Sequence, residues 1–234
     1  MSEDNIAAVI LAAGASSRMS GVKKEFARLK RRTEISGGDT VLESCVRTFS
    51  ALTENIIIVI PEGCEEEARS ALPKEFFNNK SFKINFVTGG STRRASVFNA
   101  LSFLASFNPD YVLIHDGARP WVSSSLVKNS IAAVKKYNAV VPVLQLTETP
   151  KEVGSEQCEV GFIKRHLKRV NVGLAQTPQT FKFSGIFDAH QKAAQVIGEE
   201  FTDDAEIWDR FCGKVAVIPG ELENKKITFL QDLD

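Results

Sequence analysis

The sequence lacks any apolar run near the roughly 20 residues that would cross a bilayer. It also lacks an excess of either charge: 29 Lys and Arg balance 29 Asp and Glu, and the pI is about 6.8. A neutral chain has no bulk electrostatic footprint for nucleic acid or an anionic membrane, so neither is expected as a partner, and any anion site must come from local clustering of Lys and Arg. The four cysteines, Cys45, Cys64, Cys158 and Cys212, stand far apart with no CxxC pair. That spacing excludes both a cysteine metal site and a small disulfide framework, and predicts free structural thiols in a reducing cytoplasm. The start, MSEDNIAAVILAAG, places acids before a short apolar run, unlike a secretory signal, and reads as a buried strand. Neither GxxxxGK[ST] nor GxGxxG occurs, so the chain carries neither a P-loop nor a dinucleotide fingerprint. No His or Cys stands out as a nucleophile.

Short Val- and Ile-rich runs do recur. AAVILA (7–12), NIIIVI (55–60), KINFV (83–87), YVLIH (111–115), AVVPVL (139–144) and KVAVI (214–218) read as strands. Their near-continuous apolarity predicts burial on both faces, as in a parallel sheet. Amphipathic segments alternate with them. One helical face carries Val41, Leu42, Cys45, Val46 and Phe49; a second carries Val97, Leu101, Leu104 and Ala105, with Phe98 beside them; a third carries Leu126, Val127, Ile131 and Val134. This rhythm predicts an α/β fold with a doubly wound, mostly parallel sheet. Residues 23–40 read as a basic, then Gly-rich loop. Residues 145–172 are polar, contain KRHLKR, and predict a protruding arm or hairpin. No repeat or linker divides the chain, so one domain spanning 1–234 is expected. The last residues, ITFLQDLD, are compatible with continuation into a further helix or domain.

Four stretches carry chemistry. In VILAAGASSRM (9–19) a strand runs into small residues whose N–H groups can approach a phosphate chain, and Arg18 can add charge there. An ordinary strand-to-loop turn would have a similar sequence. In VKKEFARL (22–29), Lys23 and Lys24 fall where a loop can fold back over the same phosphates, whereas Lys30, Arg31 and Arg32 read as a solvated charge run. In VTGGSTRRASV (87–97), Gly89 and Gly90 allow close backbone approach and Ser91 or Thr92 can cap the next helix, leaving N–H groups for a polar ligand. In LIHDGARP (113–120), Asp116 lies at the carboxyl end of a buried strand, where open α/β sheets bind ligands. It can hold Mg²⁺ or a hydroxyl, and Arg119 an anion. His115 reads as a packed strand-end residue rather than a base.

In this order the stretches resemble the 2-C-methyl-D-erythritol 4-phosphate cytidylyltransferases. LAQTPQTF (174–181) is similar to that family's TPQ-F stretch, FTDDAEIWDRFCG (201–213) to its TDEA segment, and ENKKIT (223–228) to its N-x-K-[IV]-T. The resemblance runs along essentially the whole chain. It implies a Rossmann-like nucleotidyltransferase fold and an enzyme that, with Mg²⁺, transfers CMP from CTP to 2-C-methyl-D-erythritol 4-phosphate and releases pyrophosphate in non-mevalonate isoprenoid biosynthesis. By resemblance, Ala12, Ala13 and Gly14 line the CTP site, and Gly90, Ser91 and Ser96 meet cytosine and ribose. Arg18 and Lys24 are the implied catalytic cations. Asp116, Arg119, Thr149, Arg169 and Lys226 are the implied groups for the polyol phosphate, and no residue is assigned as a metal ligand. Thr149 and Arg169 belong to the arm, which implies a homodimer sharing sites across it.

The sequence departs from the family pattern at several positions. Ser16 replaces a frequent glycine, Ser91 a frequent acid, and Glu148 an Asp. The loop after Lys24 and the arm PVLQLTETPK are longer than usual. The arm helps choose the acceptor, so ribitol 5-phosphate or another polyol phosphate is the alternative substrate. A non-catalytic nucleotide-binding protein is a third reading, though Arg18, Lys24 and Lys226 are all present.

Overall fold

The computed structural model describes residues 4–14, 23–29, 39–154 and 161–233. Arg18, with Ser16 and Ser17 beside it, the run Lys30 to Arg32, and Cys158 lie outside the described residues. The predicted strands form as β1 (Ile6–Leu11), β2 (Asn55–Ile60), β3 (Lys83–Thr88), β4 (Tyr111–Asp116) and β5 (Ala139–Gln145). The arm region supplies β6 (Lys151–Val153) and β7 (Ile163–His166), and then come β8 (Gly173–Ala175), β9 (Gln179–Lys182) and β10 (Ala216–Pro219). The main sheet runs β10-β5-β9-β4-β1-β2-β3, with β8 alongside β5. Pairs among β1, β2, β3 and β4 are parallel, as is β10 with β5; β9 is antiparallel to both its neighbours.

Side chains alternate across the strands and feed two cores. Ala8 and Ile10 of β1 face one side, with Ile56 and Ile58 and with Leu42, Cys45, Val46 and Phe49 of α1 (Val41–Ser50). Ala7 and Val9 face the other, with Ile57, Val59, Val97, Leu101 and Leu104 of α4 (Arg93–Leu104). Between these helices lie the short α2 (Glu65–Ser70) and α3 (Lys74–Phe77). All five residues expected on the face of α1 are buried. On α4, Ala100 joins the buried face and Ala105 is exposed, because the helix ends at Leu104 with Ala105 as its cap. On α5 (Ser124–Tyr137), Leu126, Val127 and Val134 are buried while Ile131 is half-buried. The edge strands β3 and β10 are only half-buried, unlike the central ones, since each lacks a neighbour on one side.

Two further helices, α6 (Phe183–Ala193) and α7 (Asp204–Phe211), pack beside α4 on the second face. The arm is an antiparallel two-stranded sheet formed by β6 and β7. No described helix is long and apolar enough to cross a membrane.

Phe181 of β9 is fully buried in mid-sheet, its ring 5.6 Å from that of Trp208. Phe181→Ala is expected to lower unfolding free energy by about 3–5 kcal/mol, measured by chemical denaturation.

Candidate active site

The strand register places Leu11 of β1 directly beside Asp116 of β4. The chain leaves β1 for β2 and β3 on one side of this pair, while β4 lies on the other, so the order of the sheet reverses between them. That crevice, at the carboxyl ends of the strands, is where such sheets bind ligands. A cleft of about 370 Å³ occupies it, lined by Ala13, Gly14, Lys24, Glu25, Gly90, Ser91, Thr92, Arg93, Ser96, Asp116 and Lys226 among others.

The walls are built by close backbone approach. A Cβ on Gly89 would lie 2.5 Å from the Cβ of Ala13, and one on Gly90 equally close to that of Ala95, so any side chain there would displace the turn. Thr92, rather than Ser91, caps α4 by accepting from the Ala95 N–H (3.0 Å), and Ser96 Oγ accepts from the Gly90 N–H (3.0 Å). Lys23 Nζ donates to the Gly14 carbonyl (2.9 Å), which ties the Lys23–Lys24 stretch to the end of the segment after β1. Lys24 faces the cleft, 4.0 Å from Glu25 Oε1. The Glu25 side chain is buried at the cleft wall.

Asp116 forms the electrostatic centre. Its Oδ2 lies 2.8 Å from Lys226 Nζ and 3.4 Å from Arg119 Nε, and its Oδ1 lies 3.9 Å from Arg93 Nε. Burial favours the neutral acid, but Lys226, Arg93 and Arg119 outweigh it and hold the carboxyl well below the usual carboxylate range. His115 is the strand-end packing residue expected. Burial pushes its pKa down to about 4, so at neutral pH it is uncharged. Its Nε2 then donates to the Arg119 carbonyl (3.1 Å), and Nδ1 accepts from Thr177 Oγ1 (3.0 Å), which itself accepts from the Asp116 N–H (3.1 Å). Cys45 is an inert thiol: burial pushes its pKa up, and its Sγ faces the Gly117 and Arg119 carbonyls.

Lys226 reaches Asp116 because two of the late motifs lock together. Asn224 is fully buried and donates Nδ2–H to the Thr177 carbonyl (2.8 Å). Gln176 donates to the Glu221 carbonyl (2.8 Å) and accepts from the Glu221 N–H (3.0 Å). Arg119 Nη1 donates to the Asn224 carbonyl (2.8 Å), and Ile227 N–H to that of Ala118 (2.8 Å). Likewise Gln179 clamps the start of α7, donating to Asp203 Oδ2 (2.7 Å) and accepting from the Ala205 N–H (3.1 Å).

Of the residues read from sequence, Ala13, Gly14, Lys24, Gly90, Ser91, Ser96, Asp116 and Lys226 line one cleft. Ala12 is buried, donating to the Val59 carbonyl. Arg119 braces Asp116 against the 220s loop rather than lining the cleft. Thr149 is exposed, and Arg169 bonds the Thr147 carbonyl; neither lines this cleft. Sequence reading missed Glu25, Arg93 and Asp204 as site residues. The only signal for Arg93 was its place in an arginine pair: Arg94 turns away to the Ala193 carbonyl (2.7 Å). For Asp204 the signal was an acid pair at a helix start, and for Glu25 an acid inside a basic run.

A sheet-reversal cleft lined by cations and helix-start N–H groups, with a small-residue turn after β1, defines a nucleotidyltransferase-type site. The family profile for IspD, 2-C-methyl-D-erythritol 4-phosphate cytidylyltransferase, matches residues 6–234, and the chain belongs to that family. The crystal structure of 4-diphosphocytidyl-2C-methyl-D-erythritol synthase from Anaerococcus prevotii is similar, with TM-score 0.79 and 29% identity over 98% of this chain and 95% of that one. That of the 2-C-methyl-D-erythritol 4-phosphate cytidylyltransferase from Thermus thermophilus gives 0.72 and 30%, over 96% and 94%. The bifunctional enzyme IspD/IspF of Bartonella tribocorum is 34% identical over 98% of this chain. The chain spans only 55% of that relative, about half the length of the curated proteins it matches.

The neutral state of His115 sets a pH dependence. Unfolded, its imidazole takes up a proton below about pH 6.5; folded, it does so only near 4. The unfolded state therefore binds more protons in that window, and stability falls as pH drops from 6.5 toward 4, by on the order of 3 kcal/mol. Urea titrations across this range should show the decline, with a shallower slope in His115→Gln.

Proposed function

We propose that this chain transfers CMP from CTP to 2-C-methyl-D-erythritol 4-phosphate and releases pyrophosphate, a step of non-mevalonate isoprenoid synthesis. The observation that carries this reading is the cleft itself, which places Lys24, Arg93 and Lys226 around one anion-sized space at the sheet reversal. A phosphate oxygen of the acceptor attacks the α-phosphorus of CTP, a new P–O bond forms, and the bond to pyrophosphate breaks. The nucleophile is already ionised at neutral pH, so no protein base is needed. The chain's contribution is to bring two polyanions together and to stabilise the five-coordinate phosphorus.

Lys24, with Arg18 from the segment outside the described residues, takes the triphosphate; Lys226, paired with the Asp116 that Arg119 braces, serves the acceptor. The turn at Gly90 and Ser91 receives the cytosine and ribose. The donor set fits Mg²⁺ arriving on the triphosphate. Asp116 and Glu25, the carboxylates that line the cleft among the described residues, would hold it, since such a hard cation takes only one or two carboxylates from protein. Among the described residues no group of three acids, His or Cys forms a dedicated metal cage. Bound there, Mg²⁺ would neutralise phosphate charge.

We read the arm as a dimer contact. A lone two-stranded hairpin is marginal in water, and Val153, Phe162 and Ile163 are exposed on this one. If a second copy covers them, the family resemblance implies that Thr149 and Arg169 serve the partner's cleft. Free thiols at Cys45, Cys64 and Cys212 suit the cytoplasm. The longer arm favours testing ribitol 5-phosphate as a second acceptor.

Pyrophosphate release is measured with CTP, Mg²⁺ and each acceptor in turn. Release confined to methylerythritol phosphate is expected. Release with ribitol 5-phosphate alone would change the substrate, and tight CTP binding without release would leave a binding protein. Lys24→Ala should lower kcat by about a hundredfold or more if Lys24 acts in the transition state; a rise in KM alone would make it a ground-state contact.

A further inference from the structure

Arg93 is the first residue of α4, where the positive end of the helix disfavours a cation. The first turn contains no acid to compensate, and Arg94 follows directly. Asp204, from the start of α7, supplies the missing charge. It is fully buried, and its Oδ2 lies 2.8 Å from Arg93 Nη1. At that distance charge attraction and hydrogen bonding to Asp204 together set the place of the guanidinium. The other oxygen, Oδ1, accepts from Nε2 of His190, also buried, at 3.1 Å. Burial disfavours the Asp204 carboxylate, but Arg93 and His190 outweigh it and keep it ionised.

A buried charge pair of this kind is a poor stability device, since apolar residues of similar volume commonly do as well. Its geometry fits a different role. The Arg93 side chain stays 33% exposed and lines the cleft, with Nε 3.9 Å from Asp116 Oδ1. The guanidinium therefore bridges a carboxylate fixed in the core and one in the site. Without Asp204, the looser contact with Asp116 at 3.9 Å would be the remaining anchor, and the guanidinium would lose its fixed place.

We propose that Asp204, held by His190, is a positioning residue that keeps the Arg93 guanidinium at the cleft, beside the start of α4, as a cation for an incoming phosphate group. Gln179 and the Asp203 cap fix the start of α7, so Asp204 is anchored from two sides. The inference rests on the cytidylyl-transfer reading.

The test is a double-mutant cycle on kcat/KM for CTP and acceptor, with melting temperature recorded in parallel. Absence of turnover in the wild-type protein would sink the reading and this inference together. With an active wild type, Asp204→Asn is expected to lower kcat/KM by between about tenfold and a hundredfold. In an Arg93→Met background the same change should have under about a twofold further effect, because its route through Arg93 is gone. Effects that multiply independently, or an Asp204→Asn protein that melts earlier at unchanged kcat/KM, would overturn the proposal. If Asp204→Asn does not fold, Arg93→Lys decides. Lysine keeps the charge beside Asp204 without the fork that faces both carboxylates. A drop of about tenfold in kcat/KM at near-native melting temperature would support positioning, and unchanged kcat/KM would reject it.

Discussion

Burial alone would push the Asp116 carboxyl toward its neutral form, yet Lys226, Arg119 and Arg93 all reach it and keep it charged. Those cations come from separated parts of the chain: the start of α4, the turn after β4, and the 220s loop. Each would repel the others if brought together without a central anion. The carboxylate thus lets one small volume hold several positive groups before any phosphate arrives. The surrounding hydrogen bonds follow from the same need. Thr177 receives the Asp116 N–H, His115 stays neutral to complete that chain, and Asn224 and Gln176 fix the loop that delivers Lys226.

Preorganisation of this type suits a reaction between two polyanions. Cations held by a protein carboxylate do not have to be gathered from solvent when the substrates meet, so little reorganisation is left for the chemical step. The cleft is not uniformly positive, however. Glu25 is buried against the wall that carries Lys24. Acids and cations alternate around the space, which disfavours indiscriminate anion binding and rewards a ligand whose charges fall in register.

The parallel half of the fold was legible because its strands are buried on both faces and read as continuous apolar runs. β1, β2, β4 and the helices packed on them follow the pattern nearly residue for residue. β9 was not legible as a strand. Its four residues, QTFK, alternate no differently from a loop, and its place between β4 and β5 depends on pairings from far along the chain. The arm was visible as a break in rhythm, and it forms β6 and β7. At the site, the motifs gave Gly14, Lys24, Gly90 and Asp116 because turn chemistry and strand ends are local signals. Arg93, Glu25 and Asp204 escaped because an isolated charge in sequence looks the same whether it faces water or a buried partner.

The late insertion of β9 bears on how the molecule assembles. The sheet's middle seam joins residues 111–114 to 179–182, and the lysine that faces Asp116 comes later still, at position 226. Contacts of such long sequence separation form slowly. A chain emerging from the ribosome can therefore pair β1, β2, β3 and β4 and raise most of the cleft wall while the centre of the sheet remains open. Arg93 and Arg119 are already at hand when Asp116 emerges, but Lys226, its nearest cation, comes from a later stretch than β9, so the sheet closes before the set of cations at the cleft is full.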